Sequence, residues 1–123
     1  MALQISIRES DGITILDLQG RATISDRESE LLRSKLEELI AMGARKFLLN
    51  LADMKHVDSS GFSVIVKACV SLREKGGDLR FIRPTGRALL AFNVLRLVDL
   101  IRTFDNEVEA LASYRPKSYL ATP

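Results

Sequence analysis

KFLLNLADMKHVDSSGFSVIVKACVSL, residues 46–72, holds the transition on which the fold turns. It opens with Lys46, Phe47, Leu48, Leu49, Asn50 and Leu51, a run too densely apolar for a strand with one face in water. Such a run suits a central strand covered on both faces, inside a mixed or parallel sheet. Residues 52–57 read as a loop. Asp58, Ser59, Ser60 and Gly61 follow, and then Phe62, Val64, Ile65, Ala68, Cys69 and Leu72 place an apolar stripe along a helix. The serines therefore mark a helix start immediately after a buried strand.

Upstream, residues 3–7 and 13–18 alternate apolar with polar around Asp11 and Gly12, the pattern of an opening hairpin. Ser25 stands three residues before Glu28, a capping-box spacing, so Ser25 is expected to cap the helix that follows. Leu31, Leu32, Leu36, Leu39 and Ile40 recur at helical intervals until Gly43 stops that helix. Downstream, residues 75–78 end the second helix and residues 79–82 form a short strand. Pro84, Thr85 and Gly86 open a third helical stretch with Leu89, Leu90, Phe92 and Leu95 inward. Residues 99–104 read as a last strand, and residues 105–114 as a closing helix with Val108, Leu111 and Ala112 inward. No internal repeat or low-complexity tract interrupts the alternation of strands and helices, which points to a single α/β layer structure. One domain over residues 1–115 with a flexible tail over 116–123 is the expected organisation.

The 123 residues, 46% of them hydrophobic, fit one compact core, and a net charge of +2 with 28% charged residues describes an ordinary surface. Nucleic acid is not favoured as a partner on that charge. No apolar run approaches the roughly 20 residues that cross a bilayer, and the first residues lack a signal-peptide pattern, so membrane insertion is not expected and the cytoplasm is. The single cysteine, Cys69, reads as core. Nothing in the sequence demands more than a monomer.

At a helix start, Asp and Ser are first of all capping residues. Two consecutive hydroxyls go beyond that need: only one residue caps, so at least one of Ser59 and Ser60 is free to face outward from a strand-to-helix loop. A kinase can reach such a hydroxyl. Phosphorylation adds about 1.5 to 2 negative charges, which a helix N-terminus tolerates and a partner packed on the loop does not. His56 is the only histidine, and Ser59 with His56 would be the start of a hydrolase, but no G-x-S-x-G elbow and no third group accompany them. A metal site is not expected, since Asp53, Asp58, Asp99 and Asp105 show no ligand spacing beside one His and one Cys. No catalytic residue and no cofactor are expected. Lys75, Arg80, Arg83, Arg87, Arg96 and Arg102 make the second half basic, which suits solvated surface, an acidic partner or an anion.

The string Val57, Asp58, Ser59, Ser60, Gly61, Phe62, set between a strand and a helix, resembles STAS-domain anti-sigma factor antagonists. The hairpin, Gly20, the Gly76-Gly77 turn and the late LRLVDLIRTF stretch extend the resemblance over nearly the whole chain. It implies a mixed four- to five-stranded sheet packed with about four helices. It also implies a partner-switching cycle: an anti-sigma factor that is a serine kinase binds the unmodified protein and phosphorylates Ser59, with Ser60 as second choice, and a metal-dependent serine phosphatase reverses it. Thr23, Asp58, Ser59, Ser60, Gly61 and Phe62 then form the partner-binding set. The chain departs from the family where a Gly-Glu-aliphatic-Asp string is usual, having Gly20, Arg21, Ala22 and Thr23 instead. Losing two carboxylates beside an interface changes association rate and specificity more than fold. The alternative function is a STAS-type regulatory subunit of a membrane transporter, or another non-transcriptional partner-switching module.

Overall fold

A computed structural model of the chain describes residues 3–22, 27–84 and 96–115. Strands β1 (Gln4–Ser10) and β2 (Ile13–Ala22) form the expected hairpin. Its two-residue turn works because Asp11 and Gly12 both take positive φ, 54° and 78°, a geometry that Asp and Gly tolerate best. Helix α1 (Glu28–Ala41) leads to β3 (Lys46–Val57), and helix α2 (Ser59–Glu74) leads to β4 (Asp78–Ile82). A single turn, α3 (Leu97–Leu100), precedes the two-residue β5 (Thr103–Phe104), and α4 (Glu107–Ala112) closes the described chain. The strands lie in one sheet in the order β1-β2-β3-β4-β5, with the first pair antiparallel and the others parallel. This is the anticipated α/β architecture with a mixed five-stranded sheet.

Each parallel crossover advances one strand in the same direction, so α1 and α2 fall on the same face of the sheet and pack on each other. Side chains in a strand alternate between faces. Phe47, Leu49 and Leu51 accordingly meet Leu32, Leu36, Ile65, Cys69 and Leu72 in the main core, with Leu16, Leu79 and Phe81 beside them. Leu48, on the other face, joins Ile13, Ile15, Ile82 and Ala110 in a smaller core under α4. Full burial of Phe47, Leu48, Leu49 and Leu51 bears out the central, two-sided strand. Cys69 is fully buried, and burial raises its thiol pKa, as its assignment to the core anticipates.

Several expectations are corrected. Residues 52–57 continue β3 instead of forming a loop. Register shifts against β2, between Asp17 and Gln19 and between Gly20 and Arg21, show β3 carrying one extra residue at each place, which changes its inward spacing to Leu51, Met54 and Val57. Helix α1 begins at Glu28 after Arg27, which takes φ 59° and makes no side-chain cap; Ser25 lies outside the described residues. Leu31 faces solvent, since Leu32 and Leu36 already fill the stripe toward the core. Residues 97–100 are helical, leaving only Thr103–Phe104 as strand. In α4 Leu111 packs against the small core as anticipated and Ala112 is half-buried, but the fully buried residue is Ala110, and Val108 is 77% exposed because the contact with Leu48 and Ile82 has room for one face of a short helix. The anticipated helix over 86–95 and the tail over 116–123 lie outside the described residues.

Candidate functional site

The serine pair sits where β3 hands over to α2. Asp58 is the N-cap, in extended conformation with φ −96° and ψ −176°, which turns its carboxylate back over the first turn of the helix. Its Oδ1 accepts from the backbone N–H of Ser60 at 3.0 Å and of Gly61 at 3.2 Å, satisfying two of the donors that a helix start leaves open. Ser60 Oγ lies 2.6 Å from the same Oδ1 and 3.0 Å from Ser29 Oγ. A hydroxyl has one proton and a carboxylate only accepts, so Ser60 donates to Asp58 and Ser29 donates to Ser60. Through that chain the first turn of α2 is fastened to the first turn of α1, where Glu28 and Ser29 are buried.

Ser59 is different. Its side chain is exposed, and its hydroxyl makes no hydrogen bond among the described residues. The sequence left open which of the two serines faces outward, and the capping geometry separates them: Ser60 is half-buried and bonded on both sides, Ser59 is free. Gly61 is buried, and Phe62, 6% exposed, belongs to the main core. Both residues thus support the loop from beneath. His56 is half-buried near the end of β3 with its backbone opposite Arg21 in the β2 ladder. Thr23 lies outside the described residues.

Among the described residues no group of three or more His, Cys, Asp or Glu could hold a metal, and no helix is long and apolar enough to cross a membrane. The model of the STAS domain family matches residues 4–110. The chain belongs to the STAS domain family. This STAS domain is 29% identical to the anti-sigma F factor antagonist of Paenibacillus polymyxa over 90% of its own length and 94% of that protein. Among solved structures it superposes on a candidate anti-sigma factor antagonist from Thermotoga maritima with a TM-score of 0.84, at 22% identity, over 91% of this chain and 95% of the other. The Bacillus cell fate determinant SpoIIAA in its phosphorylated form gives 0.70 at 21% identity, over 93% and 100%. A sulfate transporter family protein from Wolinella succinogenes gives 0.69 at 18% identity, over 92% and 91%, so the fold itself is shared across functions.

Sequence reasoning missed Ser29. Its role needs the three-dimensional approach of two helix starts 31 positions apart, and no local pattern announces it.

Proposed function

We propose that this STAS domain is an anti-sigma factor antagonist that works by partner switching, with Ser59 as the phosphorylated residue. The observation that carries the proposal is the contrast between the free, exposed hydroxyl of Ser59 and the fully engaged hydroxyl of Ser60. Relatives matching 90% and 82% of the chain that are anti-sigma factor antagonists support the choice of partner class. The partner is an anti-sigma factor with serine kinase activity, it seats on the surface around Asp58, Ser59 and Ser60, Thr23 belongs to the same proposed contact set, and a metal-dependent serine phosphatase resets the cycle. In this reading Gly61 and Phe62 shape that surface from below.

The electrostatics favour a switch over a fold change. Asp58 already occupies the amides that would otherwise receive a phosphate. A phosphoryl group on Ser59 then adds about 1.5 to 2 negative charges beside a fixed carboxylate, at the surface and outside the core. A partner packed there would have to desolvate both. The domain itself performs no chemistry in this cycle.

The test is intact-mass spectrometry with fragment mapping of the protein isolated from its native cells, growing and stressed, together with binding of two variants to the anti-sigma kinase. Condition-dependent phosphorylation at Ser59, constitutive binding by Ser59→Ala and weak binding by Ser59→Asp are expected. Equal binding by the two variants would overturn the proposal, and a transporter complex that forms regardless of Ser59 chemistry would replace it with a constitutive regulatory subunit.

A further inference from the structure

The end of the sheet opposite Ser59 carries a second, differently built place. Where β3 and β4 begin, Lys46, Arg73, Arg80 and Asp78 line a cleft of about 290 Å³, with the Gly76-Gly77 turn and Tyr114 as walls. Three cations share it with one carboxylate, leaving an excess of two positive charges in a concave space. A surface ion pair alone would need one arginine.

The cleft is held rigidly. A Cβ at Gly77 would stand 2.1 Å from the backbone oxygen of Arg45, so the turns entering β3 and β4 touch, and the Asp78 N–H donates to that same oxygen at 3.0 Å. On the other side the Tyr114 hydroxyl donates to the Phe47 carbonyl at 2.8 Å, and the Arg80 guanidinium lies 3.9 Å above the Tyr114 ring. Asp78 accepts from Arg73 Nε at 2.9 Å and from Arg80 Nε at 3.0 Å. Arg73 Nη2 further donates to the Leu100 carbonyl, and Arg80 Nη1 to the Ser113 carbonyl and hydroxyl. Arg73 Nη1, Arg80 Nη2 and the Lys46 ammonium make no hydrogen bond among the described residues. Two guanidinium groups are therefore fixed in orientation by one carboxylate while each keeps an unused donor, and guanidinium forks match phosphate oxygens.

We propose that this cleft binds a small phosphate-bearing anion between Arg73, Arg80 and Lys46. Its size is at the lower end of ligand pockets, roughly 300–1,000 Å³, which suits one or two phosphoryl groups and little else. Orientation fixed in advance lowers the ordering cost of binding. Because α2 spans the molecule from Ser59 to Arg73, about 21 Å at 1.5 Å per residue, a ligand here leaves the serine loop open to its partner.

The experiment titrates the full chain with inorganic pyrophosphate and, separately, with a nucleoside diphosphate, following backbone amide resonances by NMR. Saturable shifts centred on Gly76, Gly77 and Asp78 are expected, weakened by added salt and reduced about tenfold in Lys46→Glu, an exposed substitution that removes the excess charge. Equal response to both probes identifies the phosphate as what is recognised, and a response to the nucleotide alone adds contacts from the base. Absence of saturable shifts with either probe, or identical binding by a Lys46→Glu protein with unchanged circular dichroism, overturns the proposal.

Discussion

At its first turn α2 is held by small groups, one carboxylate and two serine hydroxyls, and the exposed hydroxyl of Ser59 is left uncommitted. Past its last turn the chain is held by steric contact and paired charge: Gly77 against Arg45, and Asp78 between Arg73 and Arg80. The contrast teaches where this domain keeps its tolerance for change. Chemistry added at Ser59 meets solvent, whereas any atom added at Gly77 meets backbone.

That comparison can be broken or sharpened by four measurements of stability in urea. Gly77→Ala is expected to cost the most, about 3 kcal/mol, because the new methyl group collides with a backbone oxygen that cannot rotate away. Asp78→Asn should cost about 2 kcal/mol by weakening two charged hydrogen bonds at once. The same carboxylate gives a pH signature. Burial alone would raise its pKa, yet bonding to Arg73 and Arg80 holds it below the ordinary 3.8. A group depressed in this way stabilises the fold above its unfolded value, and the contribution disappears as pH falls through the folded one. Acid destabilisation below pH 3.8 should therefore be shallower in Asp78→Asn, and an unchanged pH profile would show that the pair does not stabilise the fold.

At the other end the effects shrink. Asp58→Ala removes the cap and should cost about 1 kcal/mol. Ser59→Ala should shift stability by less than about 0.5 kcal/mol while changing partner binding most of all. A loss at Ser59 as large as that at Asp58 would mean that the hydroxyl carries structure and would erase the distinction between the two serines.

The strand-to-helix junction was legible in the sequence because two local signals coincide there, a run of apolar residues and a cluster of capping residues. Leu48 and Leu49 announce two-sided burial by themselves, and Asp11-Gly12 announces its turn. The upper part of β3 was hidden because its two register shifts break the alternation by which a strand is recognised: inward residues at Leu51, Met54 and Val57 imitate an irregular loop. The closing helix misled for another reason. Val108 is apolar and near helical spacing, but only a short stretch of sheet lies beneath α4, and Ala110 with Leu111 fills it. At the site, Asp58 as cap followed from residue type, whereas the division of labour between Ser59 and Ser60 depends on Ser29, which reaches the loop from another helix.

The bonds that converge on Asp58 also bear on kinetics. A loop held by three acceptances at one carboxylate oxygen and by a hydroxyl tie to α1 is in place before any partner arrives. Encounter then requires no search among loop conformations, and the association rate is set by diffusion, orientation and long-range charge. On the proposed partner-switching reading, the lifetime of the complex is then the quantity that phosphorylation of Ser59 would adjust.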